Sequence, residues 1–437
     1  MGLDISHCIQ TLESSSRCKV FGKVTKVVGL IAEGQGIQAP LGAVCHLIPD
    51  DPTAEPIAAE VVGFRDGACL FMPYGELRGI RSGNLIRQAD SGPDIPVSNS
   101  LLGRAVDAFG APIDNLGGVN IQGYAKLHRD PPNPLERPRI HEPLDVGVRA
   151  INGLLTLGKG QRVGIMAGSG VGKSTLMGMM ARYTKADINV IALVGERGRE
   201  VVEFMERDLG PEGMARSVLV IATSDKSPLV RMRAAYTATA IAEYFRDQGQ
   251  DVLMMMDSVT RFAMAGREVG LATGEPPTRG GYTPSVFAQL PKLLERAGKS
   301  AVGSITGIYT VLVDGDDFNE PIADAVRSIL DGHIVLTRDL ADHGHYPAID
   351  VLRSVSRLRS DITPPEIQHA GNEILGRLAT HKKVEDMINI GAYQQGANPE
   401  IDLAIAALPA INEYLQQSVD QGATIEECYS YLLQFVE

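Results

Sequence analysis

The sequence predicts an α/β protein: a mainly parallel sheet covered by helices, preceded by a small β-barrel and followed by a helical segment. Three observations carry this. Apolar runs without polar alternation recur with helical stretches between them from about residue 100 to 360. Strands buried on both faces lose their alternation in this way. Short β-rich runs separated by turn residues fill the stretch from residue 18 to about 90, and no β signal appears after residue 364.

In chain order, the β-rich runs are Val20 to Ile31, Gly42 to Ile48, Ile57 to Phe64 and Ala68 to Met72, with turns at Glu33-Gly34, Pro49-Asp50-Asp51-Pro52 and Asp66-Gly67. Their number and spacing suit a barrel or a sandwich, and the barrel is the reading adopted. Gly92-Pro93 marks a boundary, giving domains over 1–92, 93–363 and 364–437. The central strands are Arg162 to Ala167, Ile188 to Val194, Ser217 to Ala222, Val252 to Met256 and Ala301 to Val313, with the clearest helix at Val230 to Arg246. Met254, Met255 and Met256 are core residues on this reading. In the last region Asn398-Pro399-Glu400 starts a helix, with Asn as cap, Pro in the first turn and Glu at the positive end.

The chain has 437 residues, 44% of them hydrophobic and 22% charged, with a net charge of −12. This is ordinary globular composition, and the acidity argues against a generic nucleic-acid binder, which needs a basic face. Cys8, Cys18, Cys45, Cys69 and Cys428 form no C-x-x-C pair and read as reduced packing thiols of a cytoplasmic protein. No apolar stretch reaches the roughly 20 residues that cross a bilayer. The leading MGLDISHCIQ has no secretory pattern, and its M-G-x-x-x-S match through Gly2 and Ser6 is treated as chance.

The chemistry starts at Met166 to Thr175, MAGSGVGKST, which follows the apolar Val163 to Ile165. Gly168, Gly170 and Gly172, with Ser169 and Val171 between them, let the backbone curl its N–H groups inward onto phosphate oxygens. Lys173 then reaches the β- and γ-phosphates, the Ser174 hydroxyl can ligate Mg²⁺, and the helix that begins there turns its positive end to the anion. Ala167 stands where the strict motif has Gly, which is acceptable if that backbone is not left-handed. Asp257 ends the run VLMMMD, where a second Mg²⁺-organising group is needed. Gly195 to Glu200, GERGRE, follows INVIALV; Glu196 is the carboxylate chosen to orient an attacking water. Glu200 either holds a water of the metal shell or favours its helix start.

The stretches GERGRE, AGSGVGKST, MMDSVTRFA and YPAIDVLRSVSR resemble the catalytic subunits of rotary F-type and V-type ATPases, and PAIDVLRSVS fits that superfamily's signature. More narrowly, GVRAINGLLTLGKGQRVGIMAGSGVGKS, YTVLVDGDDFNEPIADAVRSILDGHIVLTR and INIGAYQQGANPEID resemble the flagellum-specific ATPases and their relatives in virulence type III secretion, from residue 18 to about 415. The resemblance implies a RecA-like P-loop core and a homohexamer that hydrolyses Mg²⁺-ATP at subunit boundaries. By position it implies that Lys173 binds phosphate, Ser174 ligates Mg²⁺ and Thr175 contacts the α-phosphate. Glu196 would be the catalytic carboxylate with Arg197 beside it, Asp257 would hold the metal's water shell, and Arg261 would lie near the γ-phosphate. Tyr346 would stack on adenine, and Arg357 would reach a neighbour's site as an arginine finger, with Arg353 as a competitor.

The same resemblance implies partners: a stator-like regulator at residues 1 to about 18, export chaperones and substrates, and stalk and export-gate proteins. It places the ring at the cytoplasmic face of the inner membrane, touching the membrane only through partners, with no nucleic acid. Ile5 to Leu12 would form a short amphipathic helix for the regulator. Asp314-Gly315-Asp316-Asp317 is read as a charged turn, and His343 and His345 as loop residues. The alternatives are a virulence secretion ATPase, a rotary synthase subunit (which would carry an acidic DELSEED-like stretch absent here), a non-catalytic ring subunit and an RNA translocase.

Overall fold

The structure is a computed structural model that describes residues 20–89, 92, 94–313, 318 and 320–436. Gly2, Ser6, the Ile5 to Leu12 stretch, Cys8, Cys18 and residues 314–317 lie outside the described residues. Two compact units emerge, one built on the first 94 residues and the other on the bulk of the remainder.

The first unit holds a closed antiparallel barrel of six strands: β1 (Phe21–Val28), β2 (Ile31–Gln35), β3 (Val44–Ile48), β4 (Ile57–Arg65), β5 (Ala68–Pro73) and β6 (Leu85–Gln88), in the order β1-β2-β5-β4-β3-β6. Alternation decides what faces in: on β3, Cys45 and Leu47 are fully buried and their neighbours only partly so. Gly34 is required by the interior, because a Cβ there would sit 2.2 Å from Ile86 Cδ1. The run Val20 to Ile31 is two strands, not one, since Gly29 takes a left-handed φ of 57° and reverses the chain. Strand β6 was not predicted: Leu85 is exposed and only Ile86 is buried, so four residues give too little pattern.

The second unit is organised on β7 (Ala105–Val106), β8 (Arg162–Ala167), β9 (Ile188–Val194), β10 (Ser217–Ala222), β11 (Asp251–Asp257), β12 (Ser304–Leu312), β13 (Gly332–Leu336) and β14 (Val355–Ser356). They run in the order β14-β13-β8-β12-β11-β9-β10-β7, parallel except for the antiparallel β13–β14 pair, with the short Gly298–Lys299 strand pairing antiparallel on β12. Every residue of β9 is buried, as are Met254, Met255 and Met256, which are core as expected. The predicted strand Ala301 to Val313 starts late because Ser300 and Gly303 close a turn first. Strand β13 escaped prediction because His333 interrupts a run of only five residues.

Helices α1 (Lys173–Tyr183), α2 (Gly198–Glu203), α3 (Pro228–Arg246) and α4 (Val259–Thr273) follow β8, β9, β10 and β11. Three more, α5 (Pro365–Asn389), α6 (Pro399–Leu415) and α7 (Ile425–Val436), form the carboxyl layer and belong to the same compact unit as the sheet. Asn398 caps α6 as predicted, its side chain accepting the Glu400 N–H at 2.9 Å. Tyr414 of α6 and Tyr431 of α7 stack at 4.7 Å between centroids, and Leu432 is wholly buried. Cys45, Cys69 and Cys428 are buried free thiols. Among the described residues no helix is long and apolar enough to cross a membrane.

Candidate nucleotide site

Parallel strands present their carboxyl ends on one edge, and that edge is where this topology places ligands. Register aligns Ala167 of β8 with Leu312 of β12, and Leu193 of β9 with Asp257 of β11. The loop Gly168–Gly172, the Glu196 turn and Asp257 therefore open side by side. Gly170 and Gly172 take φ of 80° and 89°, the left-handed values that glycine adopts without a Cβ penalty. Ala167 is ordinary extended strand, so its methyl costs nothing there. Val171 is buried and pins the loop to the core, while α1 begins at Lys173 directly after Gly172.

Lys173 Nζ donates to Asp257 Oδ1 and lies 3.8 Å from Glu196 Oε1. Asp257 is 3% exposed and also accepts a hydrogen bond from Thr310 Oγ1 at 2.7 Å. Arg261, on the first turn of α4, donates to the Gly195 carbonyl at 2.5 Å and pairs with Glu196 at 3.2 Å. That approach needs Gly195, since a Cβ would stand 2.9 Å from Arg261 Cδ. Burial and the nearby Asp257 carboxylate push Glu196 up to about 7, against the opposing pull of Lys173 and Arg261. Glu200 shares a hydrogen bond with Glu196 and moves the opposite way, below its ordinary value. Of the two carboxyls, Glu196 is thus the one that retains its proton longer, because it is the more buried.

Ser174, Glu196, Glu200 and Asp257 line a small cavity of about 20 Å³, room for about one water-sized particle. The donors are all oxygen, which suits Mg²⁺. Among the described residues no three His, Cys, Asp or Glu side chains form a metal cage. Glu200 sits in the first turn of α2, where a carboxylate favours the helix start.

Arg197 is exposed and pairs with Glu200 at 3.3 Å. Tyr346 is 46% exposed, which excludes a core tyrosine; its ring edge lies by the phosphate loop, 3.6 Å from where a Gly172 Cβ would be. His343 and His345 are both loop residues as expected, the first exposed and the second buried. Arg357 follows β14, and its N–H donates to the carbonyl of Asp331, which also pairs with Arg162 at the amino end of β8. The phosphate loop, from Gly168, starts six residues beyond Arg162, roughly 20 Å along at about 3.3 Å per residue. Arg353 stacks over Phe318 at 4.4 Å.

Two residues near the loop went unread in the sequence. Thr310 shares its strand with the hydroxyls of Ser304, Thr306 and Tyr309, so nothing local singles it out. Arg338 donates to the Ser169 carbonyl at 3.0 Å and carries no local signature.

A phosphate loop on a parallel sheet, facing a strand-end aspartate and a buried glutamate, defines a P-loop ATPase of the RecA-like class. Residues 147–356 match the family model of the ATP synthase alpha/beta family, nucleotide-binding domain, and residues 363–434 match the T3SS EscN ATPase C-terminal domain. The chain is 53% identical to the flagellum-specific ATP synthase of Bacillus subtilis (strain 168), over 97% of each chain. It is 49% identical to the type 3 secretion system ATPase of Xanthomonas euvesicatoria, over 94% of this chain and 93% of the other. The solved structure of the assembled ATPase EscN from the enteropathogenic E. coli type III secretion system superposes with a TM-score of 0.90 at 47% identity, over 95% of this chain and 100% of that one. The chain belongs to the family of flagellum-specific and type III secretion ATPases, relatives of the F- and V-type enzymes, and it hydrolyses ATP.

Proposed function

We propose that this protein is the ATPase of a flagellar protein-export apparatus, working at the subunit boundaries of a homohexamer to release chaperones and drive export of flagellar proteins. The loop N–H groups and Lys173 bind the β- and γ-phosphates, and Thr175 contacts the α-phosphate. Ser174, Asp257 and Glu200 are the residues that would hold Mg²⁺, which when bound neutralises phosphate charge. Glu196 orients the attacking water and takes its proton, with Arg261 fixing the carboxylate and Arg197 on the outer rim. Tyr346 stacks on adenine through its exposed face.

The observation that carries the ring is the place of Arg357. Its backbone is tied to Asp331 near the amino ends of the strands, where Arg162 begins a strand that runs about 20 Å before the phosphate loop of its own chain. A guanidinium there serves a neighbouring subunit, where a finger of this kind supplies about 10³–10⁵ in rate. Arg353 is engaged by Phe318, which favours Arg357 for the role. The relatives' assembly is consistent: EscN has been solved assembled, and also with its central stalk EscO. A stalk partner follows by that analogy; a stator-like partner at residues 1 to about 18 and a site at the inner membrane's cytoplasmic face rest on the family resemblance alone. The flagellar branch is supported by GHYPAID and GAYQQGANPEID and by the 53% relative.

The test is steady-state ATP hydrolysis against protein concentration for wild type, Glu196→Gln and Arg357→Ala. Turnover per subunit that rises with concentration, and is lost in both variants, supports the ring. Flat turnover with Arg357→Ala fully active removes it.

A further inference from the structure

The Tyr346 ring is half exposed, with Gly172 at one edge. The backbone that directs the ring is tied to the carboxyl layer. The Gln417 N–H donates to the Tyr346 carbonyl at 2.9 Å. Gln417 lies just past the end of α6 and is 6% exposed. Its side-chain amide is fully used: Oε1 accepts the Arg149 N–H at 2.8 Å, and Nε2 donates to the Gly147 carbonyl at 2.8 Å and to the Gln421 carbonyl at 2.5 Å.

Two further bonds brace the same joint. Tyr414 Oη donates to the Arg149 carbonyl at 3.1 Å, and the Ala423 N–H donates to Gly147 at 3.0 Å. Gly147 has no alternative residue, with φ of 73° and Tyr183 Cβ 2.1 Å from where a Cβ would be. A buried amide with both donors and its oxygen engaged holds one geometry, because each broken bond would leave a dry polar group. No hydrogen bond or ion pair of Lys173 or Asp257 runs through this joint; their partners are on the sheet and in the Glu196 turn.

We infer that Gln417 is a positioning residue for Tyr346, so that affinity for the base is set from the carboxyl helical layer while affinity for the phosphates is not. This rests on the reading of Tyr346 as the adenine-stacking residue. A partner that shifts the segment after α6 would then change nucleotide affinity without touching the phosphate loop.

The experiment is equilibrium binding of ADP and of inorganic tripolyphosphate to the full-length chain, as wild type, Gln417→Ala, Tyr346→Ala and the double variant. Gln417→Ala is expected to weaken ADP about tenfold, one or two lost hydrogen bonds' worth, and to leave tripolyphosphate within about twofold. In the Tyr346→Ala background the same change is expected to have no further effect on ADP, since its action runs through the ring. Equal weakening of both ligands, or full additivity in the double variant, overturns the inference. Unchanged ADP binding in Tyr346→Ala itself removes the stacking reading instead, so the two failures are distinguishable. If Gln417→Ala does not fold, Gln417→Met keeps the side chain's volume, removes its three hydrogen bonds and carries the same test.

Discussion

The Thr310 hydroxyl donates to Asp257 Oδ1 at 2.7 Å, joining the strand between the phosphate-loop strand and the aspartate strand to the site itself. Lys173 holds the same oxygen, so when Lys173 engages phosphate the threonine is what keeps the carboxylate aimed. Outer partners of this kind are typically worth about 10- to 100-fold in metal affinity or activity. Thr310→Val keeps the shape and removes the donor, and is expected to lower kcat and raise the Mg²⁺ concentration needed for half-maximal hydrolysis. Thr310→Ser should restore both. Wild-type Mg²⁺ dependence in Thr310→Val would show that the bond has no part in the chemistry.

Glu196→Gln is expected to abolish hydrolysis and yet stabilise the nucleotide-free protein at pH 8. The folded state raises the Glu196 carboxyl from 4.5 to about 7, so folding favours the protonated form. The corresponding stability is present below pH 4.5 and is lost as pH rises through 7. Wild-type melting temperature should therefore fall across that window by the equivalent of on the order of 2 kcal/mol, and Glu196→Gln should flatten the fall. Parallel melting curves for both proteins from pH 5 to 8 would contradict this.

What was legible in advance was local. GSGVGKS needs its glycines and lysine within one turn, and apolar strands announce themselves by their runs, so the loop, five sheet strands and the α6 cap were readable. Residues that act across the chain were not. Gln417 matters because of Gly147, Arg149 and Tyr346, all distant in sequence, and its own neighbours carry no pattern. Gly147 looks like any turn glycine until Tyr183 is packed against it. Leu85–Gln88 escaped because barrel closure, supplied by pairing with β1 and β3, makes a strand of residues with weak local preference.

Arg296 and Glu243 form a buried bidentate pair, at 3.0 and 2.7 Å, with both side chains nearly inaccessible. Arg296 also donates to the Leu127 carbonyl at 2.8 Å. Removing one partner leaves an uncompensated charge indoors, which costs about 3–5 kcal/mol. Glu243→Leu should therefore lower the melting temperature by more than the double variant Glu243→Leu/Arg296→Met. A double variant that melts no higher than Glu243→Leu would mean the pair is not what the site depends on.

Burial pushes the Cys45 thiol up to about 11 and the Cys428 thiol up to about 12. The thiolate is the reactive form, so at pH 8 both are shielded twice, by protonation and by lack of access. Alkylation followed by peptide mass spectrometry should leave Cys45 and Cys428 unmodified in the native protein and label both in denaturant. Native labelling of Cys428 would mean that the α6–α7 layer opens.

A ring with a finger in trans makes a prediction that no single-chain site makes. Glu196→Gln and Arg357→Ala damage opposite faces of a subunit, so each alone should form inactive rings. Mixed, some boundaries pair the intact Glu196 of one variant with the intact Arg357 of the other. If the two assemble at random in equal amounts into a closed head-to-tail ring, about a quarter of boundaries are whole. Hydrolysis should recover toward that fraction of wild type, and only at concentrations where rings form. If every boundary must fire in sequence, recovery falls well below a quarter and still exceeds either parent. A mixture no more active than its parents at ring-forming concentrations would place both groups on one subunit's duty, and the assignment of Arg357 to its neighbour would fail.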